Sequence, residues 1–552
     1  MSWEQLVSRK RESLKGCIPQ EWKLNQDVLT SLIESGDTRL MALNPVKKSG
    51  ILNDLEIEIT EKYTAAQLVR RMARGELKAV EVVMAFCKRA AIAQQLLSCL
   101  TEMFFQEAIE HAQRLDEYYA ANGKPIGPLH GLPISLKDTF KVIGHDATAG
   151  YVAGLKLGPA KENSSLVDLL ISAGAVLYVK TNVPQTMMTA DSENNIFGRT
   201  LNPHNTKWTA GGSSGGEGAL IAFRGSPIGV GTDIAGSIRI PSMCCGTYGF
   251  KPTNNRVPYG NQSEGVFLSL PGPYPSAGPL ANSLEDIQFF MNAVVNGRPA
   301  KYDSTALDLP WRTPKLPSKL CIGVVPEDPA YPVHPPIRRV LDSTIENLTR
   351  AGHKVIRLPH DPARGVEKGL LIAFQYYELG HEPGEDLAAI LGEPLVKSVA
   401  AFAHPFTHVS RLVPLDTNPL HKLDKLDRLR AAYVTEWKRT WFDNGLDAIL
   451  APGADKTAVP HDTYGMMPYT CVFNLLDFPS CLIPTGKVSK HLDPEPVKST
   501  AGFTPDYDPE AQDGAPCGIQ VATLSLRDEE CLAAACIIDR DIKGQQIASV
   551  HM

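Results

Sequence analysis

The chain has 552 residues, 43% hydrophobic and 21% charged, the composition of an ordinary globular protein that buries a large core without disulfide staples. Its formal net charge is −6, and the charges are well mixed with no basic stripe, which excludes a phosphate-backbone binder and so a nucleic-acid partner. The 11 cysteines form no CxxC pair and no Cys/His cluster at metal spacing, so they read as reduced thiols in a reducing compartment.

Residues 1–75 read as a helical N-terminal extension. No basic region followed by an apolar run opens it, so a secretory signal is not expected. Ser2 caps a first helix over 2–16, with Gln5 completing a capping box, Trp3, Leu6 and Leu14 near one face, and Gly16 as the stop. Thr64 and Gln67 form a second capping box, stapled by Tyr63 and Leu68, and that helix ends near Gly75. Val80, Val83, Met84, Cys87 and Ala91 repeat at helical spacing and give a third.

Residues 76–552 read as one large domain. From about residue 130 the pattern turns to α/β. Leu132–Asp138 is a short apolar run ending in charge, a strand that runs into a loop. A helix over Ser165–Ala173, closed by Gly174, leads at once into the apolar strand Ala175–Val179, which suggests a sheet with helices on its faces. Residues 300–335 carry a proline-rich connection and the strand Leu320–Val325. A helix near Ile337–Ala351 and a strand at Lys354–Leu358 follow, and 485–515 read as loop. No apolar stretch reaches the roughly 18–20 residues that span a bilayer. The final residues match no ER or peroxisomal address, so the expected location is cytoplasmic.

The informative stretch is 211–253, which opens Gly211-Gly212-Ser213-Ser214-Gly215-Gly216 and continues Gly231-Thr232-Asp233-Ile234-Ala235-Gly236-Ser237-Ile238-Arg239. Gly211-x-Ser213-x-Gly215 has the spacing of a nucleophile elbow, but Asn205–Ala210 before it makes a poor strand. A phosphate loop fails because Ser237-Ile238 stand where Lys and Ser/Thr are needed. A dinucleotide fingerprint fails because Ile234 stands in the place of its later glycine. Read without further context, the stretch is equally a glycine-rich turn with solvated serines.

Taken together, these pieces resemble the signature of the amidase signature family. The resemblance adds Cys245-Gly246 and Gly249-Phe250-Lys251-Pro252, and upstream His130–Asp138 with its lysine. It extends to Lys180–Thr186, Val472–Pro479 and Asp513–Pro516, and near the N-terminus to Trp22 and Lys48–Leu52. The chain is most similar to fungal acetamidases and more distantly to fatty acid amide hydrolases.

This resemblance implies a large mixed β-sheet flanked by helices, and hydrolysis of a carboxylic amide to acid and amine or ammonia, with no metal or cofactor. It assigns Ser237 as nucleophile, Ser213, held by a cis peptide bond, as proton bridge, and Lys137 as base. It also places the N–H groups of Ile234, Ala235, Gly236 and Ser237 in an oxyanion hole, and Met187 and Ser213 against the substrate. Lys137 needs burial to be neutral, since a free lysine is charged at pH 7. The family usually has glycine where Ala235 stands, and a methyl group is tolerated there if φ is negative. Asp233 and Arg239 are expected to brace the loop. His130 and His145 read as surface or structural residues. Small aliphatic amides are the expected substrates, with the oligomeric state open to a homodimer. The alternatives are acyl transfer, hydrolysis of longer-chain or natural-product amides, ammonia delivery to a partner, and a catalytically silent binding protein on the same scaffold.

Overall fold

The strands are β1 (Leu100–Met103), β2 (Pro133–Lys137), β3 (Val176–Thr181), β4 (Glu193–Asn194), β5 (Gly198–Arg199), β6 (Ile228–Asp233), β7 (Tyr248–Lys251), β8 (Ser276–Ala281), β9 (Cys321–Val324), β10 (Lys354–Arg357), β11 (Ala448–Pro452), β12 (Ser480–Lys487) and β13 (Pro516–Ala522). The computed structural model describes residues 1–28, 30, 36–263, 272–380, 389–403, 411–414, 418–499 and 504–550. Among these, eleven strands pair in the order β1-β3-β2-β6-β8-β7-β12-β13-β11-β9-β10, and β4 and β5 form a separate small hairpin. Strands β3, β2 and β6 run parallel, as do β11, β9 and β10. The strands between these two blocks pair antiparallel, which makes the sheet mixed.

Burial on both faces explains the unbroken apolar runs. Every residue of β2, β3, β6, β8, β11 and β13 is buried, which removes the in–out alternation of a half-solvated strand. The helices Ala79–Leu97 and Gly215–Ala222 pack beside β2. Helix Arg239–Cys245 lies on β7, β12 and β13, and helix Pro335–Arg350 covers β11, β12 and β13. Strand β10 is the edge and its ends are exposed.

Both capping boxes form. Ser2 and Gln5 cap the helix Trp3–Lys15, and Thr64 and Gln67 cap Ala65–Ala73. The third helix runs to Leu97, beyond the periodic residues read from the sequence. Gly16 ends the first helix in an ordinary right-handed conformation, φ −79°. The N-terminal residues do not stand apart: Trp22, Ile59, Leu68 and Met72 join the hydrophobic cluster that holds the sheet. In the 485–515 segment β12 continues to Lys487, and Val497 bridges Tyr507; residues 500–503 lie outside the described residues. All eleven cysteines are free thiols, most of them buried. No described helix is long and apolar enough to cross a membrane.

Leu136 is fully buried in β2 between two parallel neighbours. Leu136→Ala is expected to lower stability by about 2–5 kcal/mol, read as a reduced urea midpoint with unchanged slope.

Candidate active site

Lys137 is the last residue of β2, and the parallel register brings the carboxyl ends of β2 and β6 side by side at one edge of the sheet. The carboxyl ends of parallel strands are where open α/β sheets commonly bind ligands. The lysine is 1% exposed, and its Nζ lies 2.6 Å from Ser213 Oγ and 2.7 Å from Thr232 Oγ1. Burial pulls the amine down from 10.5 to about 7, against the opposing pull of Asp233, Glu217 and Asp138. Burial likewise pushes the Glu217 carboxyl up to about 8, although it accepts hydrogen bonds from Ser135 and Thr181 and feels the Lys137 charge. Both shifts favour the uncharged forms. The next residue, Asp138, accepts hydrogen bonds from Thr101, Thr148 and the Ala149 N–H, which ties the strand end down.

Ser213 sits on a turn before the helix Gly215–Ala222, and the Gly212–Ser213 peptide bond is cis. A Cβ on Gly212 would stand 2.2 Å from the Thr189 carbonyl oxygen, so only glycine fits there. Ser192 Oγ donates to the Gly211 carbonyl and accepts from the Gly215 N–H, clamping the turn. The Ser214 hydroxyl instead bonds the backbone of Thr232 in β6.

After β6 the chain turns through Ile234, Ala235 and Gly236 to Ser237 and the helix Arg239–Cys245. Asp233 organises this turn. Its carboxylate accepts from the Gly236 and Ile238 N–H groups, from Asn474, and from Arg239 in a two-pronged pair. Burial alone would raise this carboxyl; the Arg239 charge and the hydrogen bonds of Arg239 and Asn474 bring it down to about 2. Ala235 is absent from the non-glycine residues with positive φ, so its methyl group sits in an unstrained backbone.

The structure therefore brings Lys137 and Ser213 into direct contact and holds Ser237 beside them through a bond from the Ser214 N–H to the Ser237 carbonyl, 3.2 Å. Among the described residues Ser237 Oγ makes no hydrogen bond, to Ser213 or otherwise. Such contacts often tighten only with substrate bound. Of the four loop N–H groups, that of Gly236 is engaged by Asp233, while those of Ile234, Ala235 and Ser237 have no protein acceptor among the described residues. Met187 is half-buried with φ 56°. It does not line the nearby cavity of about 180 Å³, whose wall instead includes Thr189, Ala190, Asp191, Ser398 and Tyr464. Neither Ser213 nor Ser237 lines that cavity, although the backbone of its Thr189–Asp191 wall packs on Gly212, next to Ser213. His130 is buried and accepts from the Ile126 N–H, and His145 bridges toward Glu107. Thr232 and Glu217 lie inside the 211–253 stretch, where nothing in the sequence gave them a role, and Tyr377 and Thr470 carry no motif. Among the described residues no cluster of three or more His, Cys, Asp or Glu is placed to hold a metal ion.

The fold and this edge-of-sheet lysine–serine pair define a class. The sequence profile of the Amidase family matches residues 81–532. An amidase of Gibberella moniliformis is 40% identical over 546 residues, covering 99% of each chain. An acetamidase of Emericella nidulans is 40% identical, covering 97% of each. The solved structure of a fatty acid amide hydrolase superposes with a TM-score of 0.87 at 31% identity, covering 98% of this chain and 95% of that one. The chain belongs to the amidase family and is an amide-hydrolysing enzyme.

Asp233→Ala leaves the Arg239 guanidinium buried without its partner and is expected to cost about 3–5 kcal/mol in urea unfolding. A second expectation follows from the buried amine. With its pKa lowered from 10.5 to about 7, the folded state holds fewer protons than the unfolded state across that window. Lys137 therefore destabilises the fold increasingly as pH falls through the window, and levels off below it. The stability of Lys137→Met relative to wild type should rise as pH drops from 10.5 to about 7 and then stay constant, measured by thermal unfolding.

Proposed function

We propose that the enzyme cleaves small aliphatic amides to acid and amine or ammonia through an acyl-enzyme on Ser237, with Ser213 as proton bridge and Lys137 as base. The observation that carries this reading is a fully buried amine, poised near pH 7, at 2.6 Å from the Ser213 hydroxyl.

Ser237 Oγ attacks the amide carbonyl carbon and gives its proton to Ser213, whose own proton passes to the neutral Lys137. The carbonyl oxygen becomes an oxyanion and takes hydrogen bonds from the free N–H groups of Ile234, Ala235 and Ser237, with Gly236 supplying the backbone turn between them. The C–N bond then breaks as the proton returns through Ser213 to the departing nitrogen. Water attacks the acyl ester and gives its proton through Ser213 to Lys137; the ester C–O bond then breaks as that proton returns through Ser213 to Ser237 Oγ, and the acid leaves. The likeness to acetamidases of Emericella nidulans and Aspergillus oryzae, which align over 97% of this chain, supports a small substrate.

Ser237→Ala should lower turnover of a short aliphatic amide by about 10³-fold or more. A fluorophosphonate should label wild type at Ser237 and leave the variant unlabelled. Turnover should rise with pH through a midpoint near 7, because only the deprotonated Lys137 accepts a proton. Retained turnover in Ser237→Ala would end the mechanism, and faster cleavage of a long-chain amide than of acetamide would end the substrate assignment.

A further inference from the structure

The loop from Asp233 to Ser237 has its carbonyl groups held one by one. The Asp233 carbonyl accepts from Asn474 Nδ2 at 3.1 Å. The Ile234 carbonyl accepts from the Tyr377 hydroxyl at 2.5 Å, and the Ala235 carbonyl from the Thr470 hydroxyl at 2.6 Å. The Gly236 carbonyl accepts from the Ile240 N–H at 2.7 Å. In a planar trans peptide the N–H points opposite to the carbonyl of the residue before it. Each held carbonyl thus fixes the direction of the next N–H. The Asn474 bond sets the Ile234 N–H, the Tyr377 bond sets the Ala235 N–H, and the Ile240 bond sets the Ser237 N–H. The Thr470 bond sets the Gly236 N–H, which is spent on Asp233.

The four clamps are unequal. Asn474 also braces Asp233, and Ile240 belongs to the helix that follows, so both serve the scaffold at large. Thr470 closes on Gly236, where a Cβ would stand 2.3 Å from its hydroxyl oxygen. Tyr377 differs: its hydroxyl donates to Ile234, and its other hydrogen-bond partner among the described residues is Cys471 Sγ at 4.0 Å. It reaches the loop from the last residue of the helix Val366–Tyr377, on an element remote from the signature, and it is 5% exposed. We propose that Tyr377 is a positioning residue for amide hydrolysis, whose hydroxyl holds the Ile234–Ala235 peptide so that the Ala235 N–H points at the developing oxyanion. This rests on the assignment of Ser237 as nucleophile, since the N–H donors matter only where the tetrahedral oxygen forms beside that serine.

Phenylalanine keeps the ring and removes only the donor. Tyr377→Phe leaves one peptide free to turn and weakens one oxyanion donor without deleting it. Its effect should therefore fall below the roughly 10²–10³-fold loss typical of removing a donor outright. The expected result is a 10-fold or larger drop in kcat with KM within about two-fold of wild type. The affinity for a short aliphatic boronic acid, which forms a tetrahedral adduct on a serine, should fall by the same factor as kcat/KM. Installing 3-fluorotyrosine at 377, which keeps the hydroxyl donor, should restore both. A Tyr377→Phe protein that melts like wild type but keeps kcat within two-fold overturns the proposal, as does a loss of kcat with boronic acid affinity unchanged. If Tyr377→Phe misfolds, 4-fluorophenylalanine at 377, which fills the space of the hydroxyl but has no donor, decides: a 10-fold or larger drop in kcat with a matching loss of boronic acid affinity in a folded protein supports the positioning role, and kcat within two-fold of wild type overturns it. Failure of the nucleophile assignment shows separately, as absence of fluorophosphonate labelling at Ser237 in the wild-type enzyme.

Discussion

The arrangement at the edge of the sheet depends on one interaction, an amine buried without a counter-charge and within hydrogen-bonding distance of two hydroxyls. Lys137 Nζ has Ser213 and Thr232 as close partners and forms no ion pair among the described residues, although three carboxylates act on it from farther off. A charged ammonium in such a place would be costly, and neutralisation is the inexpensive outcome. The surroundings keep that outcome in force. Glu217, underneath, is pushed toward its own neutral form, and Asp138 is saturated by donors from elsewhere in the fold.

The second constraint concerns backbone rather than side chains. Asp233 and Arg239 are both fully buried and bonded twice to each other, with Asn474 and Gln520 satisfying what remains. A buried pair of this kind adds little net stability compared with apolar packing, yet removing one partner is severe. Its use here is geometric. It converts the glycine-containing turn before Ser237 into a rigid loop whose free N–H groups have fixed directions. The helices Val366–Tyr377 and Pro468–Leu475 supply the hydroxyls that complete this frame, so segments far from the signature help to shape its loop.

Much of the architecture was legible beforehand because its causes are local. The capping boxes at Ser2 and Thr64 state their helix starts within four residues, and the apolar run Leu132–Asp138 reads as a strand from its own composition, found as Pro133–Lys137. Elements whose limits depend on packing were read less well. The helix Ala79–Leu97 outruns its visible periodicity because both its faces meet protein, and buried residues surround it almost completely. The helical extension over residues 1–75 was read from its caps; that Ile59 and Leu68 are fully buried in the common core is something no pattern within that segment records.

The glycine, serine and lysine motifs carried the resemblance that named the family, and that resemblance implied the sheet-and-helix class and the three residues of the proposed mechanism. Each motif is a short run of the chain, and its chemistry is written in the identity of its residues. Tertiary structure alone decided that Lys137 faces Ser213 and Thr232 and that Ser214 turns to β6. It also decided that the Gly236 N–H is taken by Asp233 and that a tyrosine 143 residues beyond Ile234 holds its carbonyl. Such contacts join segments with no fixed spacing between them. They are selected by the packing of helices on a closed core, and a hydroxyl that donates to a distant backbone carbonyl leaves no periodicity for a sequence to display.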